Sequence, residues 1–102
     1  MQEITPAELA ALDDAFILDV REPHELEQAR LEGATHIPLG ELVARIDEVP
    51  RDTTVYTLCH VGGRSAQATV YLESLGVDAV NVSGGILEWY RQGLPITLGG
   101  AE

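Results

Sequence analysis

There is no lysine in this chain. Its six basic residues are all arginine, set against 17 aspartates and glutamates, for a formal net charge of −11. Such a surface repels nucleic-acid backbones and anionic lipid heads, so neither nucleic acid nor membrane is an expected partner. A small anionic ligand meets the same unfavourable field. Any anion site must therefore act locally, at a helix end or beside an arginine. The charge permits a basic protein partner without demanding one. No apolar run approaches the roughly 20 residues a membrane span needs. The start, "MQEITPAELAALDD", lacks the basic head and apolar segment of a secretion signal. Cys59 is the only cysteine, so no disulfide forms within the chain and the fold requires no oxidising compartment. These absences predict a soluble, cytoplasmic protein. His24, His36, His60 and Cys59 are scattered without zinc-site spacing, so no metal site is expected.

What is present reads as one domain over residues 1–102, with ordinary globular proportions of 45% apolar and 23% charged residues. "TPAE" (5–8) is a capping box, Thr5 as N-cap and Pro6 at the first helical position, opening a short helix with Leu9 and Leu12 inward. "AFILDV" (15–20) is a buried strand, and a turn at Pro23 leads into a short helix within 21–29. "ATHIP" (34–38) is a brief strand stopped by proline. "GELVARIDEV" (40–49) puts Leu42, Ile46 and Val49 on one helical face, with Val43 beside them. "TVYTLC" (54–59) is a strand. "SAQATVYLESLG" (65–76) is a helix with Ala68, Leu72 and Leu75 inward and Gly76 closing it. "AVNV" (79–82) is a strand, and "GILEWYRQG" (85–93) a helix that Pro95 cannot continue. Strands alternating with helices predict an α/β fold with a mostly parallel sheet covered on both faces. Sites in such folds lie at the carboxyl ends of strands, where Cys59 falls.

The segment "YTLCHVGGRSAQA" (56–68) joins a strand to a helix through a glycine-rich loop. Two glycines allow a tight turn and positive φ. Successive amides can then converge as an anion nest beside the positive end of a helix, with Arg64 adding a fixed charge. A thiol there should ionise readily and act as a nucleophile. Most lone cysteines are inert core residues. Neither glycine nor arginine improves packing at this junction, however, so the reading favours a functional thiol.

"CHVGGRS" resembles the active-site loop of the rhodanese (sulfurtransferase) family, written C-x-x-G-x-R-S, through Cys59, Gly62, Arg64 and Ser65. "LDVREPHE" (18–25) and "GATHIP" (33–38) resemble its amino-terminal signature. "GGILEWYRQGLP" (84–95) resembles its carboxy-terminal one. The resemblance spans residues 18–95. One departure stands at "ARLEGA" (29–34), where Arg30 and Glu32 replace a histidine and a proline of many relatives. The resemblance implies a three-layer α/β/α fold around a central, mostly parallel sheet of about five short strands. It implies sulfane-sulfur transfer from thiosulfate or a persulfide to cyanide or a thiol, with no cofactor. Cys59 would be the nucleophile and sulfur carrier. The backbone N–H groups of His60, Val61, Gly62, Gly63 and Arg64 would cradle the persulfide. Arg64 would orient the loop and stabilise charge, and Ser65 would donate a hydrogen bond near the sulfur. Asp19 and Arg21 would support the loop by hydrogen bonds, a role favoured for Asp19 and evenly balanced for Arg21 against a strand-end carboxylate with a surface ion pair. His60 would border the pocket, Trp89 would pack in the core, His24 would be exposed and His36 structural.

Two alternatives remain at this stage. One is a sulfur-relay or binding module that takes sulfur from a protein partner. The other is a cysteine phosphatase or arsenate reductase. The spacing from Cys59 to Arg64 is C-x4-R, tighter than the C-x5-R ring that admits a phosphoryl group.

Overall fold

The computed structural model describes residues 1–99. Five parallel strands form the central sheet in the order β1-β6-β5-β2-β4: β1 (Gln2–Ile4), β2 (Phe16–Asp19), β4 (Thr35–His36), β5 (Val55–Leu58) and β6 (Ala79–Val82). A separate antiparallel ribbon pairs β3 (Ala29–Arg30) with β7 (Thr97–Leu98). The helices are α1 (Pro6–Ala10), α2 (Pro23–Gln28), α3 (Gly63–Ser74) and α4 (Gly85–Arg91). The expected α/β/α architecture is present.

Period-two alternation divides the strands between two cores. Leu18, Val55 and Ala79 join Ala68 and Leu72 of α3, with Leu42 and Val49 completing that cluster. Leu58 and Val82 join Leu9 of α1 and Ile86 and Trp89 of α4 on the other face. Trp89 also donates its Nε1–H to the Pro95 carbonyl at 2.8 Å, so its polar edge is satisfied inside the core.

The structure corrects several local expectations. Residues 40–49 form no α-helix, but two 3₁₀ turns, Leu39–Glu41 and Ile46–Glu48. Leu42 and Val49 are buried and Ile46 half-buried, whereas Val43 is exposed. Gly40 and three β-branched residues give the segment little helical preference, and fixing Leu42 and Val49 in the core suffices to seat it. The capping box at Thr5 forms as expected, yet α1 ends at Ala10 and leaves Leu12 exposed. α3 begins at Gly63, two residues before Ser65. β1 was not expected from "QEI", because only its pairing with β6 orders it. The β3–β7 ribbon was likewise unforeseen, since its halves lie far apart in sequence.

The topology positions the cysteine. From β2 the chain passes outward to β4. From β5 it passes the other way to β6. The crevice where these directions part lies between the carboxyl ends of β2 and β5, which is where open α/β sheets bind ligands. Cys59 directly follows β5 there.

Candidate active site

The cysteine loop is shaped by its glycines. Gly62 has φ +116° and serves as N-cap of α3. This turn brings the Gly62 N–H to 3.0 Å from Cys59 Sγ, while Ser65 Oγ lies 3.3 Å from the same sulfur. Cys59 is buried. That burial is the largest influence on the thiol and pushes it up. Hydrogen bonds from the Ser65 hydroxyl and from the backbone N–H groups of Ser65, Gly62 and Arg64 outweigh it, and hold the thiol below its ordinary value. His60 and Val61 project outward and are exposed, and Gly63 opens α3.

A second glycine pair braces the loop from behind. Gly85 has φ +61°, and a Cβ there would strike the carbonyls of Cys59 and His60. With no side chain in the way, Ile86 N–H donates to Cys59 O at 2.9 Å and Leu87 N–H to His60 O at 3.0 Å. Beneath the loop, Asn81 Nδ2 donates to Gly62 O at 3.2 Å, and its Oδ1 accepts from Ser65 Oγ at 2.5 Å.

Arg64 turns to α2. Its guanidinium donates twice to Glu25, NH1 to Oε1 at 2.7 Å and NH2 to Oε2 at 2.9 Å. This bidentate bond holds the Glu25 carboxyl down at about 2 and raises the arginine further above its usual range. Arg21 is not at the surface: it is 2% exposed and Asp19 1%. Its Nε and NH2 bond the Asp19 carboxylate, NH2 reaches Ala29 O at 2.8 Å, and NH1 reaches Glu25 O at 3.4 Å. Among the described residues, the hydrogen bonds to the Asp19 carboxylate all come from Arg21, none from the cysteine loop. The pair thus reaches the loop indirectly, by pinning the helix that carries Glu25. His36 bonds Arg21 O at 2.7 Å, and His24 is exposed. Arg30 and Glu32 lie 3.4 Å apart at the exposed β3 turn.

A groove of about 360 Å³ opens beside the loop, lined by the polar side chains of His60, Arg21 and Glu25 and by the apolar ones of Leu87, Tyr90 and Leu98. Among the described residues, no three of His, Cys, Asp and Glu converge to hold a metal ion, and no helix is long and apolar enough to cross a membrane.

Sequence reasoning singled out the whole loop from Cys59 to Ser65 and missed Glu25, Asn81 and Gly85 as its supports. Asn81 carried a readable signal: a lone asparagine in a four-residue strand buried on both faces needs a buried partner.

This arrangement is a buried thiol that accepts from the Gly62 N–H at a sheet switch point. The chain resembles known proteins. A rhodanese-like domain model matches residues 5–92. A protein of Allochromatium vinosum named sulfurtransferase is 39% identical over 89 residues, covering 86% of this chain and 83% of that relative. The "Adenylyltransferase and sulfurtransferase" of Ogataea parapolymorpha is 31% identical over 94 residues; the match takes in 89% of this chain but only 24% of that longer protein. The crystal structure of a rhodanese-related protein from Thermoplasma volcanium superposes with a TM-score of 0.91 at 35% identity, covering 96% of this chain and 99% of that one. With loop, topology and sequence in agreement, the chain belongs to the rhodanese-like domain family, whose relatives include sulfurtransferases.

Proposed function

We propose that this protein transfers a sulfane sulfur through a persulfide on Cys59, acting as one domain in the cytoplasm. The observation that carries the reading is the Gly62 N–H at 3.0 Å from a thiol whose hydrogen bonds favour the thiolate. In the first step the thiolate attacks the outer sulfur of a donor. The donor's S–S bond breaks, its electron pair leaves with a thiolate or with sulfite, and Cys59 carries S–S⁻. In the second step an acceptor thiolate or cyanide attacks that outer sulfur and Cys59 leaves as thiolate. The amides of His60 to Arg64 stabilise the anion in both forms, Ser65 donates toward the sulfur, and the Arg64–Glu25 and Arg21–Asp19 pairs keep the loop in place.

The preferred donor is a persulfide rather than thiosulfate. Both arginines at the site face carboxylates, and the net charge of −11 slows a dianion's approach. A protein sulfur donor or acceptor is the second reading. The apolar wall of the groove, with Tyr90 and Leu98 exposed, favours it. So does the relative whose name joins an adenylyltransferase to a sulfurtransferase.

The test is intact-protein mass after brief exposure to a small persulfide and, separately, to thiosulfate. The wild type should gain one sulfur atom, faster from the persulfide, and lose it to cyanide; Cys59→Ser should gain none. An unchanged wild-type mass with both donors, or equal gain by the mutant, would end this proposal.

A further inference from the structure

Four polar side chains lie buried beneath the cysteine loop: Thr57, Ser65, Thr69 and Asn81. Their protons follow by elimination. Thr69 Oγ1 donates to the Ser65 carbonyl at 2.8 Å, so in the 2.7 Å contact between the two threonine hydroxyls Thr57 is the donor. Asn81 Nδ2 donates to Gly62 O, which sets the orientation of the amide and leaves Oδ1 as acceptor. Ser65 Oγ then has two claimants for one proton: Asn81 Oδ1 at 2.5 Å and Cys59 Sγ at 3.3 Å.

While Cys59 is a thiol there is no conflict. Its S–H donates to Ser65 Oγ, and Ser65 donates to Asn81. A thiolate only accepts. It draws the Ser65 proton to itself and leaves Ser65 Oγ and Asn81 Oδ1 facing each other as two acceptors. Relief comes only by a relay: Thr57 turns its proton from Thr69 to Asn81 Oδ1, 3.4 Å away, and Thr69 turns its own from the Ser65 carbonyl to Thr57.

We propose that Asn81 is a positioning residue that competes with the Cys59 sulfur for the single proton of Ser65, making the thiol less acidic than its loop amides alone would, and that Thr57 partly relieves this competition on ionisation. A consequence resting on the sulfur-transfer reading follows. In a persulfide the charge sits on the outer sulfur, so Ser65 returns its proton to Asn81. Asn81 therefore favours the loaded state over the free thiolate. The charged and titratable groups around the loop are the Arg64–Glu25 pair from α3 and α2, Glu22 at the start of α2, the Asp19–Arg21 pair from the end of β2, His60 in the loop and Glu88 on α4. All stay constant across the variants below.

The experiment is a thiolate absorbance titration of the full chain, with Cys59→Ser as blank, on wild type, Asn81→Ala, Ser65→Ala, the double variant and Thr57→Val. Asn81→Ala should lower the thiol midpoint by about half to one pH unit, because Ser65 then serves the sulfur alone. Ser65→Ala should raise it, and adding Asn81→Ala to Ser65→Ala should change nothing more. Thr57→Val, which touches no sulfur, should raise it by a few tenths of a unit. A merely structural Asn81, anchoring the loop through Gly62 O, predicts a higher midpoint in Asn81→Ala. That result, no shift, or an equal fall in the Ser65→Ala background would overturn the proposal. If Asn81→Ala fails to fold, Thr57→Val decides: an unchanged or lowered midpoint overturns it. Persulfide loading separates the two readings. Asn81→Ala should load roughly threefold less completely at equal donor. Midpoints that shift as expected in proteins that never load would refute sulfur transfer and leave the competition standing.

Discussion

Two glycine pairs, Gly62-Gly63 and Gly84-Gly85, stand at equivalent places in this fold. Each follows a buried parallel strand, each has its first glycine at positive φ as N-cap, and each opens a helix. Their amides do opposite work. At the first pair the Gly62 N–H points into the loop and meets the Cys59 sulfur. Beyond the second, the N–H groups of Ile86 and Leu87 point at the carbonyls of Cys59 and His60. One junction aims an amide at the sulfur and the other holds the backbone of the loop that carries the sulfur. A strand, two glycines and a helix therefore make a nest only where the amides are left without a backbone acceptor.

Substitutions separate the two roles. The largest effect belongs to Gly85→Ala. Its φ of +61° is strained for alanine, and the new Cβ would sit 2.6 Å from the Cys59 carbonyl oxygen. A loss of about 3 kcal/mol or more is expected in denaturant unfolding, with sulfur loading lost as the loop shifts. Gly62→Ala should cost less, about 1–2 kcal/mol, because its Cβ meets nothing closer than 3.7 Å and only the positive φ is penalised. Its loading rate should nonetheless fall roughly tenfold, because relaxing the strained φ turns the residue-62 N–H away from the sulfur. Equal stability losses at the two glycines would erase the distinction between nest and brace.

A smaller effect tests the outer side of the loop. Glu25→Gln removes the carboxylate from a half-exposed pair and should change stability by less than about 1 kcal/mol. It also leaves the Arg64 guanidinium unneutralised, so thiosulfate turnover should rise a few-fold at low salt and the gain should shrink as salt is added. The pair's contribution depends on pH with a definite sign. The folded carboxyl is held at about 2, below its ordinary 4.5. The stabilisation is thus present above 4.5 and lost as pH falls through 2. Melting temperatures of wild type and Glu25→Gln should differ most above pH 5 and converge toward pH 2. A constant difference across that range would show that the pair does not act as an ion pair.

Much of this could be read from local signals. Apolar runs of four to six residues bounded by turns marked β2, β5 and β6, and the Thr5 box marked α1, because those signals lie within one element. The cysteine loop was readable because glycine and arginine beside a thiol have a chemical reason and no packing reason. Residues 40–49 were misread because an apolar spacing of three and four suits a helix and a pair of 3₁₀ turns alike; the core needs only Leu42 and Val49. Leu12 was misread because periodicity does not say where a short helix stops.

By itself, the amino-acid sequence determined the α/β alternation, the strand-to-helix junction at Cys59 and the absence of any second thiol. Those follow from periodicity, turn chemistry and composition, which act over a few neighbouring residues. Only the tertiary structure decided that Arg64 faces Glu25, 39 residues away, that Arg21 is buried with Asp19, and that Ser65 Oγ lies within reach of both Asn81 Oδ1 and the sulfur. A guanidinium or a hydroxyl has many candidate partners along a chain. Which one it meets depends on how α2, α3 and β6 converge at the end of β5, and that convergence is set by burial of the two cores on either face of the sheet.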